Sequence, residues 1–342
     1  MGSFRDSIMG LRRRVVPVGF VVAAALVVVA SSSVAQSVPS LGTATFTVFP
    51  AGIVNTPTSL MIQKGFLAKY GVTGKLSTLP SGPGIVASLV GGSTDFADSN
   101  PTLTWPLIRQ GQCLKYLTGG LGNVADLVAQ TDLKLPNLSK GFPESIKDLK
   151  GTRIGVVALG SATHIWVELM LKQAGMSSKD VTFISVGGPS TAVAAFENKL
   201  VDVLLVYPPI YQQLQKSPGW QMVANWSKGN PPMLANLVQS GIATKCSYAE
   251  ANPQIVQAVC KAIADTYAFM MDPKNEAEMG AFNARNLGVS PADGLALWNQ
   301  YKSSFRGIAF TQTQWEAQAQ FTVAQDGYFP KYSDIVIPGC AA

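Results

Sequence analysis

Short strand-like and helix-like runs alternate along this chain, and the alternation constrains its fold more than any other feature. Strand-like runs occur at residues 45–51, 75–79, 96–98 and 114–121, and helix-like runs between them at 58–70, 84–90 and 101–110. A polar, proline-containing stretch at 131–151 interrupts the pattern. Strands that alternate with helices predict a mainly parallel sheet with helices on both faces.

The alternation restarts after the interruption and ends in a helical tail. The second set has predicted strands at 153–157, 181–186, 203–206, 221–225 and 237–244, with helices at 163–174 and 190–198. The tail has predicted helices at 253–271, 276–287, 291–301 and 312–325. We therefore expect an α/β protein of two lobes, each a doubly wound, mainly parallel sheet, with residues 36–130 and 245–342 in the first lobe and residues 131–244 in the second.

The first 35 residues have the features of a secretory signal peptide. Four arginines within residues 5–14 precede an uncharged, mainly apolar run at 15–30, and Ala35 ends a small-residue cleavage pattern. Cleavage after Ala35 would release the mature chain into the periplasm. A retained membrane anchor is the alternative, although a spanning helix needs about 20 apolar residues.

The charge balance argues against a nucleic-acid partner. The whole chain carries +6, but the leader holds four Arg and one Asp, so the mature chain carries +3 and has no basic block. Apolar residues make up 47% of the chain and charged residues 13%, which excludes disorder. We expect a monomer with neither cofactor nor metal.

Four cysteines, Cys113, Cys246, Cys260 and Cys340, would face an oxidising compartment after export. An even number favours disulfides there, and four cysteines allow three pairings. We favour Cys246–Cys260 with Cys113–Cys340; four buried free thiols are the alternative. There is no CxxC motif and a single histidine, so a structural zinc site is not expected.

Five small, polar, mostly glycine-rich loops follow predicted strands and precede predicted helices. They span residues 52–56, 81–84, 98–100, 160–163 and 187–190. In open α/β sheets ligands bind beyond the carboxyl ends of the strands, where helix N-termini offer unpaired amides and a positive dipole end. The candidate ligand-binding residues in these loops are Asn55, Thr56, Ser81, Gly82, Ser99, Asn100, Ser161, Thr163, Gly188 and Ser190. Helix capping alone is the simpler explanation for any one loop.

Two further residues are candidates for the same cleft. Tyr207 ends an apolar predicted strand, where its ring could form a wall for a ligand or simply cap the sheet. His164, the single histidine, follows Ser161 and precedes Glu168 by one helical turn. A secreted enzyme that uses Ser161, His164 and Glu168 as a triad is the alternative function, although triads normally draw on different elements. Otherwise His164 lines the cleft or packs within the fold.

The order and spacing of several motifs resemble those of solute receptors for nitrate, taurine and aliphatic sulfonates. The first set consists of KGFL at 64–67 and VGGSTDFA at 90–97. The second consists of DLKGTRIGV at 148–156, GS at 160–161, GM at 175–176, KDV at 179–181 and LVDV at 200–203. This family is related to enzymes that build the thiamine pyrimidine, but their cysteine cluster for iron is not present here.

The resemblance implies a two-lobed type II periplasmic binding-protein fold. It also implies a receptor that serves an ABC importer, with a permease in the inner membrane as its partner. The ligand would be a small anionic or zwitterionic molecule bound between the lobes. No arginine occurs in the five loops, so backbone and hydroxyl donors would have to bind its acidic group.

Overall fold

The computed structural model describes residues 38–322 and 328–340. The predicted signal peptide and its cleavage point lie outside these residues. In chain order, the strands are β1 (Gly42–Val48), β2 (Val72–Thr78), β3 (Phe96–Ser99), β4 (Leu114–Tyr116), β5 (Leu121–Gly122), β6 (Asp126–Gln130), β7 (Arg153–Val156), β8 (Thr182–Ser185), β9 (Val203–Val206), β10 (Trp220–Ala224) and β11 (Val238–Lys245).

Fourteen α-helices accompany these strands within the described residues. They are α1 (Thr56–Gln63), α2 (Gly82–Val90), α3 (Pro101–Arg109), α4 (Glu144–Lys147), α5 (Ala162–Gln173), α6 (Pro189–Glu197), α7 (Ile210–Leu214), α8 (Cys246–Ala251), α9 (Pro253–Met271), α10 (Glu276–Leu287), α11 (Pro291–Tyr301), α12 (Gln312–Ala317), α13 (Ala319–Thr322) and α14 (Tyr332–Ile335). None of them combines the length and apolar character needed to cross a bilayer.

The strands form two sheets, one in each lobe. The first sheet has the order β2-β1-β3-β11-β4, with β5 paired to β11, and the second has the order β10-β6-β9-β7-β8. β1 is parallel to β2 and β3, and β7 is parallel to β8 and β9. Each sheet also holds one strand antiparallel to its neighbours, β11 in the first and β6 in the second. The two-lobed, mainly parallel α/β architecture expected from the sequence is therefore confirmed.

The chain passes between the lobes at two points, and strand pairing places both of them earlier in the sequence than the predicted boundaries. β6, which was assigned to the first lobe, pairs with β9 in the second sheet, while β11, assigned to the second lobe, pairs with β3 in the first sheet. The polar stretch at 131–151 is a surface segment of the second lobe, where both the amide and the side chain of Asn137 donate to Asp148. Polarity indicated a loop there, but not a passage between lobes.

The first predicted helix is shorter than expected. α1 ends at Gln63, because Gly65 takes a left-handed conformation with φ of +76° that interrupts the helix. The helices at 253–271, 276–287 and 291–301 have the predicted bounds. Side chains of this tail, including Val259, Met279 and Trp298, are buried with Phe46 in the core of the first lobe.

Both disulfides differ from the favoured pairing. The structure joins Cys113 to Cys246 and Cys260 to Cys340, with Cα–Cα distances of 5.4 and 4.8 Å. The reason lies in the register of β4 and β11, which pairs Leu114 with Lys245. Cys113 directly precedes Leu114 and Cys246 directly follows Lys245, so this pairing brings the two cysteines together. The amide of Cys246 donates to the carbonyl oxygen of Cys113 at 3.0 Å. Closeness along the chain was a poor guide because Cys113 and Cys246 are neighbours across a sheet.

Candidate functional site

A cavity of about 100 Å³ lies between the lobes. Its walls come from the carboxyl ends of β1, β3, β7 and β9, together with β11 and the starts of three helices. The first lobe contributes Phe49, Val54, Gly82, Ile85, Asp98, Ser99, Asn100, Leu103, Gln239 and Ser240. The second lobe contributes Val157, Ser161, Ala162, Thr163 and Tyr207. This is the position at which α/β sheets ordinarily bind ligands.

Two helix starts of the first lobe reach the cavity, and their first amides are largely bonded already. Ser81 caps α2 by accepting a hydrogen bond from the amide of Gly84 at 3.3 Å. Asn100 caps α3 by accepting from the amide of Thr102 at 2.9 Å, and its Nδ2 donates to the carbonyl oxygen of Val238 at 2.8 Å. Asn100 therefore ties α3 to β11 and holds this wall in place.

The start of α5 is the second lobe's counterpart, and it is more open. Ser161 caps the helix by accepting from the amide of His164 at 3.3 Å, and its hydroxyl lies 3.2 Å from that of Thr163. The amides of Ala162 and Thr163 belong to the first turn and have no acceptor within their own helix. Both residues line the cavity. This helix start therefore offers two amides and a dipole end to a negative group.

One ionisable side chain, that of Asp98, lines the cavity besides the Tyr207 phenol. Asp98 is 8% exposed, and its Oδ1 accepts a hydrogen bond of 2.6 Å from the hydroxyl of Thr58. Its Oδ2 is buried and has no hydrogen-bond partner. Burial raises the pKa of Asp98 to about 7, against the opposing effect of the hydrogen bond from Thr58.

Tyr207 and Phe49 form an aromatic wall, with their rings edge to face and centroids 6.1 Å apart. The hydroxyl of Tyr207 is buried without a partner, and burial raises its pKa above the ordinary value of 10. Val54, Ile85, Leu103 and Val157 add aliphatic side chains to the wall. The cavity thus combines an apolar surface with a few polar atoms that have no partner in the protein, as small-molecule sites do.

Six of the predicted residues line the cavity, and six do not. Those on the wall are Gly82, Ser99, Asn100, Ser161, Thr163 and Tyr207. The others are Asn55, Thr56, Ser81, His164, Gly188 and Ser190. Asn55 and Thr56 are buried and bonded to the helical tail: Asn286 donates to Asn55 at 2.7 Å, and Thr56 donates to Asn283 at 3.2 Å. Their polar atoms therefore stabilise the first lobe from within.

Gly188 and Ser190, which also lie outside the wall, belong to the start of α6. Gly188 caps α6, and its carbonyl oxygen accepts from the hydroxyl of Thr191 at 2.9 Å. Ser190 is exposed in the first turn of the same helix. The loop at 187–190 therefore does not reach the cavity, although its composition is like that of the other four.

Sequence reasoning missed Asp98 and the two β11 residues Gln239 and Ser240. Asp98 belongs to the predicted loop at 98–100, but donors were sought there because the expected ligand was acidic. Gln239 and Ser240 lie on the strand that returns to the first sheet, and only the pairing of β11 with β3 places them beside Ser99. The alternation of strands and helices does not reveal such an antiparallel neighbour.

The side-chain contacts do not form the Ser–His–Glu triad considered as the enzyme alternative. The hydroxyl of Ser161 interacts with Thr163 and with the backbone amide of His164, not with the imidazole. The Nδ1 of His164 accepts from the amide of Gly160 at 3.0 Å, and its Nε2 lies 3.8 Å from Glu168. The ring packs edge-on against Phe183 with centroids 4.4 Å apart. Elsewhere in the described residues, no group of three His, Cys, Asp or Glu side chains is placed to hold a metal ion.

Comparison with solved structures identifies the fold as that of periplasmic binding proteins. A protein from Bordetella bronchiseptica RB50 is 22% identical, with a TM-score of 0.72 over 87% of this chain and 95% of that one. The alkanesulfonate-binding protein SsuA from Xanthomonas axonopodis pv. citri, solved bound to MOPS, is 18% identical, with a TM-score of 0.64 over 83% and 94%. The periplasmic nitrate-binding protein NrtA from Synechocystis PCC 6803 is 20% identical, with a TM-score of 0.59 over 73% and 68%.

At the level of sequence, residues 119–277 match the family described as NMT1/THI5 like. No protein of curated function matches the chain. The family match and the structural neighbours together confirm the resemblance to solute-binding proteins of the nitrate and sulfonate type.

Proposed function

We propose that this protein is the extracytoplasmic solute-binding receptor of an ABC importer and that it binds a small molecule in the cavity between its lobes. The observation that carries the proposal is the origin of the cavity walls. Strand ends and helix starts of both lobes meet there, and several lining residues, such as Asp98 and Tyr207, have polar atoms without protein partners. A ligand held by both lobes stabilises the closed arrangement through contacts that are absent when the lobes separate.

Contacts between the lobes support a closing receptor. Trp166 of α5 donates from Nε1 to the hydroxyl of Thr102 on α3 at 3.2 Å. On a second edge, Lys216 pairs with Asp293 at 2.6 Å. A few polar contacts of this kind would favour the closed arrangement slightly. The ligand would supply the remaining free energy of closure. Hinge closure of this kind is the established behaviour of periplasmic receptors.

Export to the periplasm and delivery to an inner-membrane permease belong to the same proposal. Neighbours of this fold are named as periplasmic nitrate- and sulfonate-binding proteins, and one as a ligand-binding component of an ABC-type import system. The predicted leader and its cleavage after Ala35 agree with that location. The receptor would act as a monomer and present its closed form to the permease.

The proposed ligand is a small acid of the sulfonate, nitrate or taurine type, or a zwitterion. Its acidic group would lie at the start of α5, where the amides of Ala162 and Thr163 and the hydroxyl of Ser161 can donate. Of the residues predicted from the sequence, Gly82, Ser99, Asn100, Thr163 and Tyr207 would shape the remainder of the site. The volume of about 100 Å³ suits a molecule of few atoms.

A thermal-shift and calorimetric screen of the mature chain tests the proposal. The panel would hold nitrate, alkanesulfonates, taurine, short carboxylic acids and pyrimidines. A ligand that binds the native state alone raises the unfolding temperature by mass action. If no member of the panel raises it or gives heat on titration, the proposed function fails for these solute classes.

A matched pair of cap variants locates the site. Ser161→Ala removes a hydroxyl at the cavity and should weaken binding of any acidic hit about tenfold, the loss expected for a hydrogen bond to a charged group. Ser290→Ala removes the cap of α11, where Ser290 accepts from the amide of Asp293 outside the cavity. Equal effects of the two variants on affinity would contradict the proposed position.

A further inference from the structure

We propose that the ligand carries an amino group and that this group donates a hydrogen bond to the carboxylate of Asp98. This inference deepens the proposed function and rests on it, since it assigns a chemical class to the molecule held in the same cavity. It separates amino-substituted ligands, which the site would select, from simple anions such as nitrate and unsubstituted alkanesulfonates, which it would bind poorly.

The first observation is an acceptor without a donor. Asp98 is more than nine-tenths buried, yet only its Oδ1 has a partner, the hydroxyl of Thr58. Asp98 lines the cavity, and its Oδ2 is buried and receives no hydrogen bond from the described residues. Leaving a buried carboxylate oxygen unpaired is costly, and such atoms are normally satisfied in proteins. A donor on the ligand would satisfy it.

The second observation is the sign of charge in the cavity. Its lining has one carboxyl and no Lys, Arg or His side chain. The groups that interact with Asp98 from neighbouring elements are the hydroxyls of Thr58 on α1 and Tyr267 on α9, and neither carries a positive charge. No described ion pair includes Asp98. A simple anion would therefore meet a buried acid with no compensating cation, whereas an ammonium would pair with it.

The wall formed by the second lobe bears on the other end of the ligand. The start of α5 favours a negative group, so a zwitterion could place its acid there and its amine at Asp98. The aromatic wall of Phe49 and Tyr207 equally fits a flat ring with an exocyclic amine. Both molecules share the chemistry proposed here, an N–H donor aimed at Oδ2, and the experiment distinguishes them.

The test compares ligands that differ only in the amine. Taurine is paired with ethanesulfonate, β-alanine with propionate, and 4-aminopyrimidine with pyrimidine, each titrated calorimetrically into the mature protein. For at least one pair, the amine should bind about 30-fold tighter or more, since a site built around a hydrogen bond rejects analogues without it. Preference in the first two pairs identifies a zwitterion, and preference in the third a ring amine.

Variants then assign the preference to Asp98. Asp98→Asn should reduce the preference for the amine to less than about threefold, because a neutral amide replaces the charged acceptor of the amine's hydrogen bond. Asp126→Asn is the matched control: Asp126 is a buried carboxyl of the second lobe, outside the cavity, that accepts from the amide and hydroxyl of Ser227 at 2.8 and 3.0 Å. It should keep the wild-type preference. The comparison of paired ligands on the unmodified protein stands even where a variant fails to fold.

The pH dependence gives an independent readout. Since burial holds the pKa of Asp98 near 7, ionised Asp98 is scarce in the empty site at pH 5. Affinity for taurine or β-alanine should therefore rise up to about tenfold per pH unit between pH 5 and 7 and level off above it. A protonated Asp98 that donates to an anion would give the opposite slope and overturn the inference.

The outcomes separate the inference from the proposed function. If, in every pair that binds, the member without the amine binds as tightly as its partner, the inference is wrong while the receptor function stands. If neither member of any pair binds, the receptor function fails for these classes and the inference fails with it.

Discussion

The two lobes contribute different chemistry to the cavity that they share. The first lobe contributes a buried carboxyl, Asp98, and helix starts whose amides are mostly bonded by Ser81 and Asn100. The second lobe contributes the start of α5, with two amides that have no acceptor in their helix. One wall therefore favours a donor and the other an acceptor. Equivalent strand ends in a repeated α/β pattern thus need not have equivalent functions.

The lobes also differ in what holds them together. Both disulfides of the described residues lie in the first lobe, and the helical tail adds to its core. The second lobe relies on packing around two fully buried tryptophans, Trp166 and Trp226. The stability of the second lobe should therefore respond most strongly to core substitutions, and that of the first to its covalent ties.

The largest effect is expected at Trp166. Trp166→Ala should lower the free energy of unfolding by about 3–5 kcal/mol, because a large buried ring leaves a cavity, and should also weaken ligand binding. Trp226→Ala is the matched control, since it removes a ring from the same core but leaves the hydrogen bond between Trp166 and Thr102 in place. Denaturant unfolding and calorimetry measure both. Equal losses of affinity would show that Trp166 acts only through the stability of its lobe.

The next effect concerns Asp98 and pH. Its pKa is about 7 in the folded protein against 3.8 for the unperturbed group. Between these values the unfolded chain has lost a proton that the folded one retains, so Asp98 makes the ligand-free protein less stable as pH rises from 4 to 7, with no further change above. The full loss is on the order of 4 kcal/mol.

Asp98→Asn should remove this loss, so that the variant gains stability over the wild type at pH 8 relative to pH 4. Urea unfolding of both proteins at both pH values measures the difference. A gap between variant and wild type that is the same at both values would mean that Asp98 is not the titrating group. A stabilising substitution that impairs binding is typical of functional sites.

The sequence predicted more of the fold than of the site. Periodicity and capping residues located the core elements, as at β9 and α9, whose bounds match. The predicted helices at 101–110 and 163–174 begin within one residue of α3 and α5, whose N-caps, Asn100 and Ser161, are residue types that favour helix starts. Each of these signals is local, and each reflects the preference of a few neighbouring residues.

These local signals do not reveal which strands or cysteines pair when they are far apart in the sequence. The disulfides depend on the register between β4 and β11, and the lobe boundaries on the partners of β6. The role of Asp98 depends on a donor that the fold does not supply, which a linear sequence cannot indicate. Asn55 shows the converse, since its polar side chain looked available and is bonded to Asn286 from the tail.

Disulfide removal should have a smaller effect than either substitution above. Replacing Cys260 and Cys340 together by Ser should lower the free energy of unfolding by about 2–3 kcal/mol, because the unfolded chain regains freedom over an 80-residue separation. Neither cysteine lines the cavity, so ligand affinity should change less than about twofold. Denaturant titration and calorimetry under non-reducing conditions measure both. A large loss of affinity would mean that the tail positions the cavity wall.

The smallest effect is expected at the ion pair that joins the lobes. Lys216→Ala removes the partner of Asp293, whose pKa is held below its usual value chiefly by the hydrogen bond from Lys216. Exposed pairs contribute little, so affinity for a bound ligand should fall by no more than about threefold, through a less favoured closed state. Lys199→Ala is the control, because Lys199 pairs with Asp132 within the second lobe. At about 1 M salt, where charges are screened within about 3 Å, the two variants should bind alike. If instead Lys216→Ala costs more than tenfold at every salt concentration, the lobes are held together by this edge rather than by the ligand, and the receptor would be closed before its ligand arrives.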